Sequence, residues 1–191
     1  HMYDIVIPAL IITIFLLIGY AQRRDHTSHL GAPFVPLEPD VVSRIMNLVK
    51  IKKGDIYYDL GSGDGRMVIA AALLGAKAYG VEIDPWRVWY SRFCIFIFGL
   101  SGRAKIIQQD IFNVNLSSAN VVTTYLLQET NDKIFSKLAK ELKPGTRVLS
   151  SAFNFPKWKP VKIHPNGPIY GPLYLYHLKP PTKKKKIKNA H

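Results

Sequence analysis

Gly61, Gly63 and Gly65 stand at alternate positions in the run Asp59-Leu-Gly-Ser-Gly-Asp-Gly-Arg66, between a short apolar stretch (56–60) and a helical pattern (67–74). Glycine lets a backbone turn tightly and approach a ligand closely. A strand passing through such a loop into a helix opens a β-α-β unit, and this restricts the fold more than any other feature. The alternation continues along the chain. Strands are predicted over 78–82, 104–109, 119–125 and 146–152, with helices over 85–98 and 131–142. Asp40 is predicted to cap an earlier helix reaching residue 50, with Val41, Val42, Ile45, Met46 and Val49 on its apolar side. The segments 161–164 and 173–179 read as an antiparallel pair joined through Pro165-Asn166-Gly167. Repeated β-α-β units imply a parallel sheet with helices on both faces. Ligands of such sheets bind beyond the carboxyl ends of the strands, where strand order reverses.

Residues 5–21 carry no charge and are apolar on every side, so as a helix they have no polar face to turn to water. Such a helix covers about 26 Å, close to the ~30 Å of a hydrocarbon core. Arg23 and Arg24 follow at once, against Asp4 alone on the short preceding side. The expected organisation is a single transmembrane or membrane-anchor helix over 3–22, a linker over 23–37, a folded domain over 38–179 and a basic disordered tail over 180–191. The positive-inside rule puts the folded domain on the cytoplasmic, or mitochondrial matrix, side. A cleaved signal peptide lacks its basic leading region here, and a buried core helix or oligomer contact is the other alternative.

The net charge of +13 favours anionic partners. Six lysines and no acid lie in 179–188, nearly half of that excess. This tail is either solubilising or a contact for anionic lipid, where each basic residue contributes about 1 kcal/mol. Cys94 is the single cysteine, which excludes an internal disulfide framework and a cysteine-based metal cluster. No metal is expected.

The glycine loop differs from the G-x-G-x-x-G fingerprint that aims a helix N-terminus at a pyrophosphate. Asp59 precedes it and Asp64 lies within it, so it favours a ligand bearing positive charge. Glu82 ends the second predicted strand, where a carboxylate can accept from ribose hydroxyls. Asp110 ends the third, placed for an adenine edge, with Ile111 and Phe112 as packing partners. Each piece has an ordinary structural explanation: a turn, a solvated strand-end acid, a helix cap. In this order on three successive strand tips they describe a pocket for S-adenosylmethionine.

These residues resemble the class I, seven-stranded S-adenosylmethionine-dependent methyltransferases. Within that class the chain is similar to the adenine nucleotide translocase/ATP synthase c-subunit lysine methyltransferases and their archaeal protein-lysine relatives. The matching runs are Pro33-Phe-Val-Pro36, Tyr58-Asp-Leu-Gly-Ser-Gly-Asp-Gly-Arg66, Gly80-Val-Glu-Ile-Asp-Pro-Trp-Arg-Val-Trp-Tyr-Ser-Arg92, Glu141-Leu-Lys-Pro-Gly-Thr-Arg-Val148 and Phe153-Asn-Phe-Pro-Lys-Trp158. The resemblance covers about 33–178. It implies a Rossmann-like, seven-stranded, mostly parallel sheet with helices on both faces and the antiparallel C-terminal pair, preceded by the hydrophobic helix. It also implies methyl transfer to a protein lysine, with a membrane protein as the expected partner. The cofactor would then lie against Asp59, Gly61, Ser62, Gly63, Gly65, Glu82, Ile83, Asp110 and Ile111. Where many amino-methylating relatives carry Asn/Asp-Pro-Pro-Tyr, this chain reads Thr123-Thr124-Tyr125-Leu126, which argues against an adenine- or glutamine-methylating enzyme.

A methyl acceptor lysine must be neutral, yet its usual pKa is about 10.4. An apolar channel disfavours the ammonium. Phe34, Trp86, Tyr125, Phe153 and Trp158 are the expected wall, and Tyr125 and Glu129 the candidates for orienting the amine or taking its proton. Trp86, Trp89 and Tyr90 share one helical face and have helix packing as the competing explanation. Phe93, Ile95, Phe96, Ile97 and Phe98 are core or a membrane-facing patch. The competing functions are a methyltransferase for a lipid or quinone head group, a nucleic-acid methyltransferase, which the missing Asn/Asp-Pro-Pro-Tyr run disfavours, and a cofactor-binding scaffold without turnover, which the intact loop disfavours.

Overall fold

The computed structural model describes residues 35–178. The expected anchor over 3–22, Phe34 and the tail over 180–191 lie outside the described residues. Among the described residues no helix is long and apolar enough to cross a membrane.

Seven strands form one sheet: β1 (Ile56–Leu60), β2 (Lys77–Glu82), β3 (Ala104–Gln108), β4 (Val121–Thr124), β5 (Arg147–Ser151), β6 (Lys162–His164) and β7 (Leu173–His177). Their order is β3-β2-β1-β4-β5-β7-β6. The first five are parallel, β7 runs antiparallel to β5, and β6 antiparallel to β7. The chain moves outward from β1 through β2 to β3, then returns to lay β4 on the other side of β1. The order therefore reverses at β1, and the crevice above β1 and β4 is where such a sheet takes its ligand.

Alternation along β1 sends Tyr57 and Tyr58 to opposite faces. Tyr57 joins Ala78, Ile106 and Leu149 under three helices, α1 (Pro39–Val49), α2 (Arg66–Leu73) and α3 (Pro85–Ile97). Tyr58 joins Val122, Val148 and Tyr176 under α4 (Gln128–Glu141) and the segment carrying Val114 and Leu116. Each fully buried side chain of this size contributes about 1.5–3 kcal/mol, so these two cores hold the strand tips in place.

Three local expectations are corrected. Asp40 is not the cap of α1. Pro39 opens the helix, Glu38 occupies the cap position without a side-chain hydrogen bond, and Asp40 pairs with Arg44 one turn on at 3.2 Å. Helix α4 begins at Gln128 rather than 131, because its first turn is polar and carries no apolar periodicity. The connection between β6 and β7 holds a helical turn, α5 (Gly167–Tyr170), so it is not a simple hairpin.

Candidate functional site

The tips of β1, β2 and β4 meet around a cavity of about 710 Å³, within the ~300–1,000 Å³ of ligand pockets. Asp59, near the tip of β1, is 6% exposed; Glu82 ends β2 and is 5% exposed. The glycine loop between them is tightly fastened. The Gly61 and Ser62 amides both donate to the Val81 carbonyl, at 2.9 and 3.0 Å, and the Gly65 amide closes a turn on Ser62 O at 2.9 Å. Gly65 has φ +80°, and a Cβ there would come within 2.9 Å of Ser91 Cβ. The Ser91 hydroxyl in turn reaches the Gly63 carbonyl at 2.9 Å.

Glu82 organises this junction. Its Oε2 accepts from the Gly63 amide at 2.8 Å, and its Oε1 accepts from the Ile83 and Asp84 amides, each at 2.9 Å. A carboxylate offers about four lone-pair directions. An outside hydroxyl therefore has Oε2 available, and a second would have to displace an amide. Asp84 completes the corner by capping α3 through the Trp86 amide at 2.8 Å.

Asp59 is held differently. Its Oδ1 accepts from Thr123 Oγ1 at 2.6 Å, and Thr123 Oγ1 lies 2.5 Å from the Tyr57 hydroxyl. A threonine hydroxyl has one proton; with it committed to Asp59, Tyr57 donates to Thr123. Burial pushes the Asp59 carboxyl up to about 7; the Thr123 bond opposes this, while Glu82 and Asp64 add to it. Asp64 itself pairs with Arg66, whose Nε lies 2.9 Å from Oδ1. The same guanidinium also donates to the Leu37 carbonyl. Arg66 thus straps residues 35–37, which line the cavity, to the glycine loop.

Asp110 lines the cavity beyond β3, turning its own loop by accepting from the Phe112 amide at 2.9 Å, and Ile83, Ile111 and Phe112 give that end apolar walls. At the opposite end the lining is Tyr125, Leu126 and Phe153. Tyr125 is half-buried, and burial and the neighbouring Tyr170 push its hydroxyl up. Glu129 reaches the rim but is exposed and bonded to Lys133 at 2.7 Å, which holds its carboxyl below the usual range.

Two expected wall residues are corrected. Trp158 packs in an aromatic cluster on the other face of the sheet, with ring centroids 5.0 Å from Phe135 and 5.4 Å from Phe155. Trp86 is 75% exposed and outside the cavity lining. Among the described residues no group of three His, Cys, Asp or Glu could hold a metal ion.

A sequence profile described as the ANTKMT methyltransferase domain matches residues 59–162, from the acid of β1 to the first residue of β6. A protein-lysine N-methyltransferase of Saccharolobus islandicus is 42% identical over 149 residues, which is 75% of this chain and 92% of that relative. This chain belongs to that methyltransferase family. The mouse ATP synthase c-subunit lysine N-methyltransferase is 38% identical over 146 residues, 76% of this chain; the match spans 58% of the mouse protein's length. A crystal structure of an RNA methyltransferase from Salinibacter ruber, in complex with S-adenosyl-L-homocysteine, superposes with a TM-score of 0.73 at 36% identity, over 78% of this chain and 97% of that one.

The methyltransferase is S-adenosylmethionine-dependent, and its residues suit that cofactor. Buried carboxylates would face a ligand that carries an ammonium and a sulfonium, and at Gly61 and Gly65 of the loop beside them a Cβ would meet Leu126 and Ser91 at 3.0 and 2.9 Å. Sequence reasoning finds Asp59, Glu82 and Asp110 but assigns no part to Thr123, Tyr57, Ser91 or Arg66. The available signal was the polar Thr123-Thr124 pair at the tip of a buried strand, where a hydroxyl must find a partner. Gly80 is also missed. A Cβ there would come within 2.5 Å of Ser62 Oγ and 2.7 Å of Ile106 Cδ1, so this strand glycine makes room for the loop.

Proposed function

We propose that this methyltransferase transfers methyl groups to the ε-amine of a lysine in a protein that is membrane-embedded or membrane-proximal. One observation carries the reading: buried Asp59 and Glu82 and the aromatic Tyr125 and Phe153 line a single cavity, in a chain 42% identical to a protein-lysine N-methyltransferase across most of its length.

S-adenosylmethionine, when bound, supplies a sulfonium methyl whose carbon–sulfur electron pair leaves with a neutral thioether. Asp59, Ser62 and the glycine loop would hold its amino-acid end, Glu82 Oε2 would accept from a ribose hydroxyl, and Asp110, Ile83 and Ile111 would receive the adenine. Tyr125, Leu126 and Phe153 form the mouth where the amine arrives. Both Tyr125 and Glu129 are poorly set as bases. The Tyr125 hydroxyl is pushed up and keeps its proton, and the Glu129 carboxyl is pushed down. An efficient base titrates near the working pH. The lysine therefore loses its proton to water as it enters the apolar mouth, where desolvation disfavours the ammonium. Tyr125 orients the neutral amine.

The helix over 3–22 anchors the enzyme with its catalytic domain on the cytoplasmic or matrix side, and the basic tail touches anionic lipid. Residues 5–21 and the six lysines over 179–188 support this placement.

The Salinibacter likeness and the net charge of +13 favour a second reading, methylation of RNA. Methyl-labelled cofactor added to membrane, ribosomal and soluble fractions separates the two. Label retained on lysine after nuclease digestion supports protein methylation. Label released with nucleotides, or extracted into solvent with lipid, overturns it. Carbonate extraction of membranes tests the anchor: a chain released with peripheral proteins is not anchored.

A further inference from the structure

Helix α3 is apolar on two opposite sides. Val88, Cys94 and Ile95 face the core and are buried. At 100° per residue, Trp86, Trp89, Phe93, Phe96 and Ile97 fall within one arc of about 100° on the other side. On that arc Trp86 is 75% exposed, Phe96 70%, Ile97 56% and Trp89 52%. Trp89 and Phe93 stack with ring centroids 5.8 Å apart, which makes the stripe continuous through its middle. A helix with a second apolar face of this extent marks an interaction surface. Scattered exposed side chains would not share one arc.

We propose that this outer face of α3 lies on the lipid bilayer, in the plane of the interface and along its surface. The proposal rests on the anchor reading of residues 3–22. Three observations select lipid as the occupant. First, residues 22–34 span at most about 45 Å when fully extended. A chain anchored through 3–22 therefore keeps the domain within about one domain diameter of the membrane, at a high local concentration of lipid surface. Second, charge fits an anionic surface. Pro85–Ile97 contains no acid, and the exposed Arg103 follows in the next loop; Arg92 is directed to the Ile106 carbonyl, at 2.9 and 3.3 Å, rather than to this surface. Third, the composition is interfacial. Tryptophan dominates the end nearest the rim, and phenylalanine and isoleucine the other.

The consequence for the reaction is positional. Trp86 lies three residues after Ile83, which is on the cavity wall. With α3 flat on the bilayer, the cavity rim sits at headgroup level. A lysine at the membrane surface then reaches the mouth without the enzyme detaching, and a lysine far out in solution is disfavoured.

The three tryptophans make the face directly readable. Trp158 is half-buried against Phe135, Phe155 and Tyr176, away from α3, and serves as an internal control. The full chain is reconstituted into phosphatidylcholine/phosphatidylserine vesicles with and without acyl-chain bromine, and vesicle flotation is measured alongside tryptophan emission. The expected result is loss of the Trp86 and Trp89 emission in brominated vesicles with Trp158 emission retained. In the W86F/W89F double variant, bromine then removes nothing further. A chain that floats with the vesicles but keeps all its emission leaves the anchor intact and overturns the α3 face. A chain that fails to float overturns both. Protection of the tryptophans by a second copy, seen as concentration-dependent dimers in detergent and no quenching in vesicles, also overturns it.

Discussion

Thr123 Oγ1 donates to Asp59 Oδ1 at 2.6 Å across the β1–β4 pair, and the Tyr57 hydroxyl backs it at 2.5 Å. Asp59 and Thr123 are register partners, so the sheet itself sets this contact. The relay is the only side-chain hydrogen bond that the described residues give to this acid, which is 6% exposed at the cavity wall. It favours the ionised form against a strong burial effect.

Thr123→Val keeps the shape and removes the donor. A hydrogen bond to a charged group is worth about 1.5–3 kcal/mol; its loss disfavours the Asp59 carboxylate that the ligand's ammonium needs, so cofactor affinity at pH 8 falls by about 3- to 10-fold. Calorimetric titration with S-adenosylmethionine checks this at pH 8. Affinity within two-fold of wild type would remove the relay from the binding argument.

The Asp59 carboxyl titrates at about 7 in the folded protein, against an ordinary value of 3.8. The native state therefore holds this proton more tightly than the unfolded chain. Its contribution to stability falls as pH rises from about 4 to about 7 and is flat above that. Cofactor binding runs the other way, because the ligand's ammonium needs the carboxylate: affinity rises through about pH 7. Asp59→Asn removes the buried charge, so at pH 8 the ligand-free protein melts a few degrees higher, roughly as expected for about 1 kcal/mol in a domain of this size. The same variant loses cofactor binding. Calorimetry of both proteins at pH 5 and pH 8 reads the two effects, and a lower melting temperature at pH 8 would contradict the assignment.

Gly80→Ala drives a methyl group into Ser62 and Ile106. Overpacking of this kind costs about 1–3 kcal/mol. Because the displaced atom belongs to the glycine loop, binding weakens together with stability. Urea unfolding and cofactor titration of the same preparation check this; a stability loss with unchanged affinity would show that the loop absorbs the shift.

Arg66→Lys keeps a charge but cannot reach Asp64 and the Leu37 carbonyl together, since a lysine lacks the planar fork. Amides near residues 35–38 are then expected to exchange faster in the ligand-free enzyme while those of α2 stay protected. Unchanged exchange over 35–38 would mean that the strap is held by other contacts.

The alternation of strands and helices was legible because each element carries its own period, and the carboxylates were legible because strand tips mark the ligand crevice. What escaped depends on register. Thr123 matters only because β4 returns beside β1, a pairing that no local pattern encodes. Trp158 and Trp86 were both sensible wall residues by type. One is turned into the second core by the fold of 153–158, and the other lies on the far side of a helix whose two apolar faces cannot be ranked from spacing alone. Asp40 looked like a cap because its residue type suits the role, but Pro39 starts the helix one position earlier.

Glu82 grips three backbone amides. The loop it braces is therefore fixed by the protein's own hydrogen bonds, and little conformational freedom remains to be lost on association. Exchange of spent for fresh cofactor can then proceed without refolding the floor of the pocket.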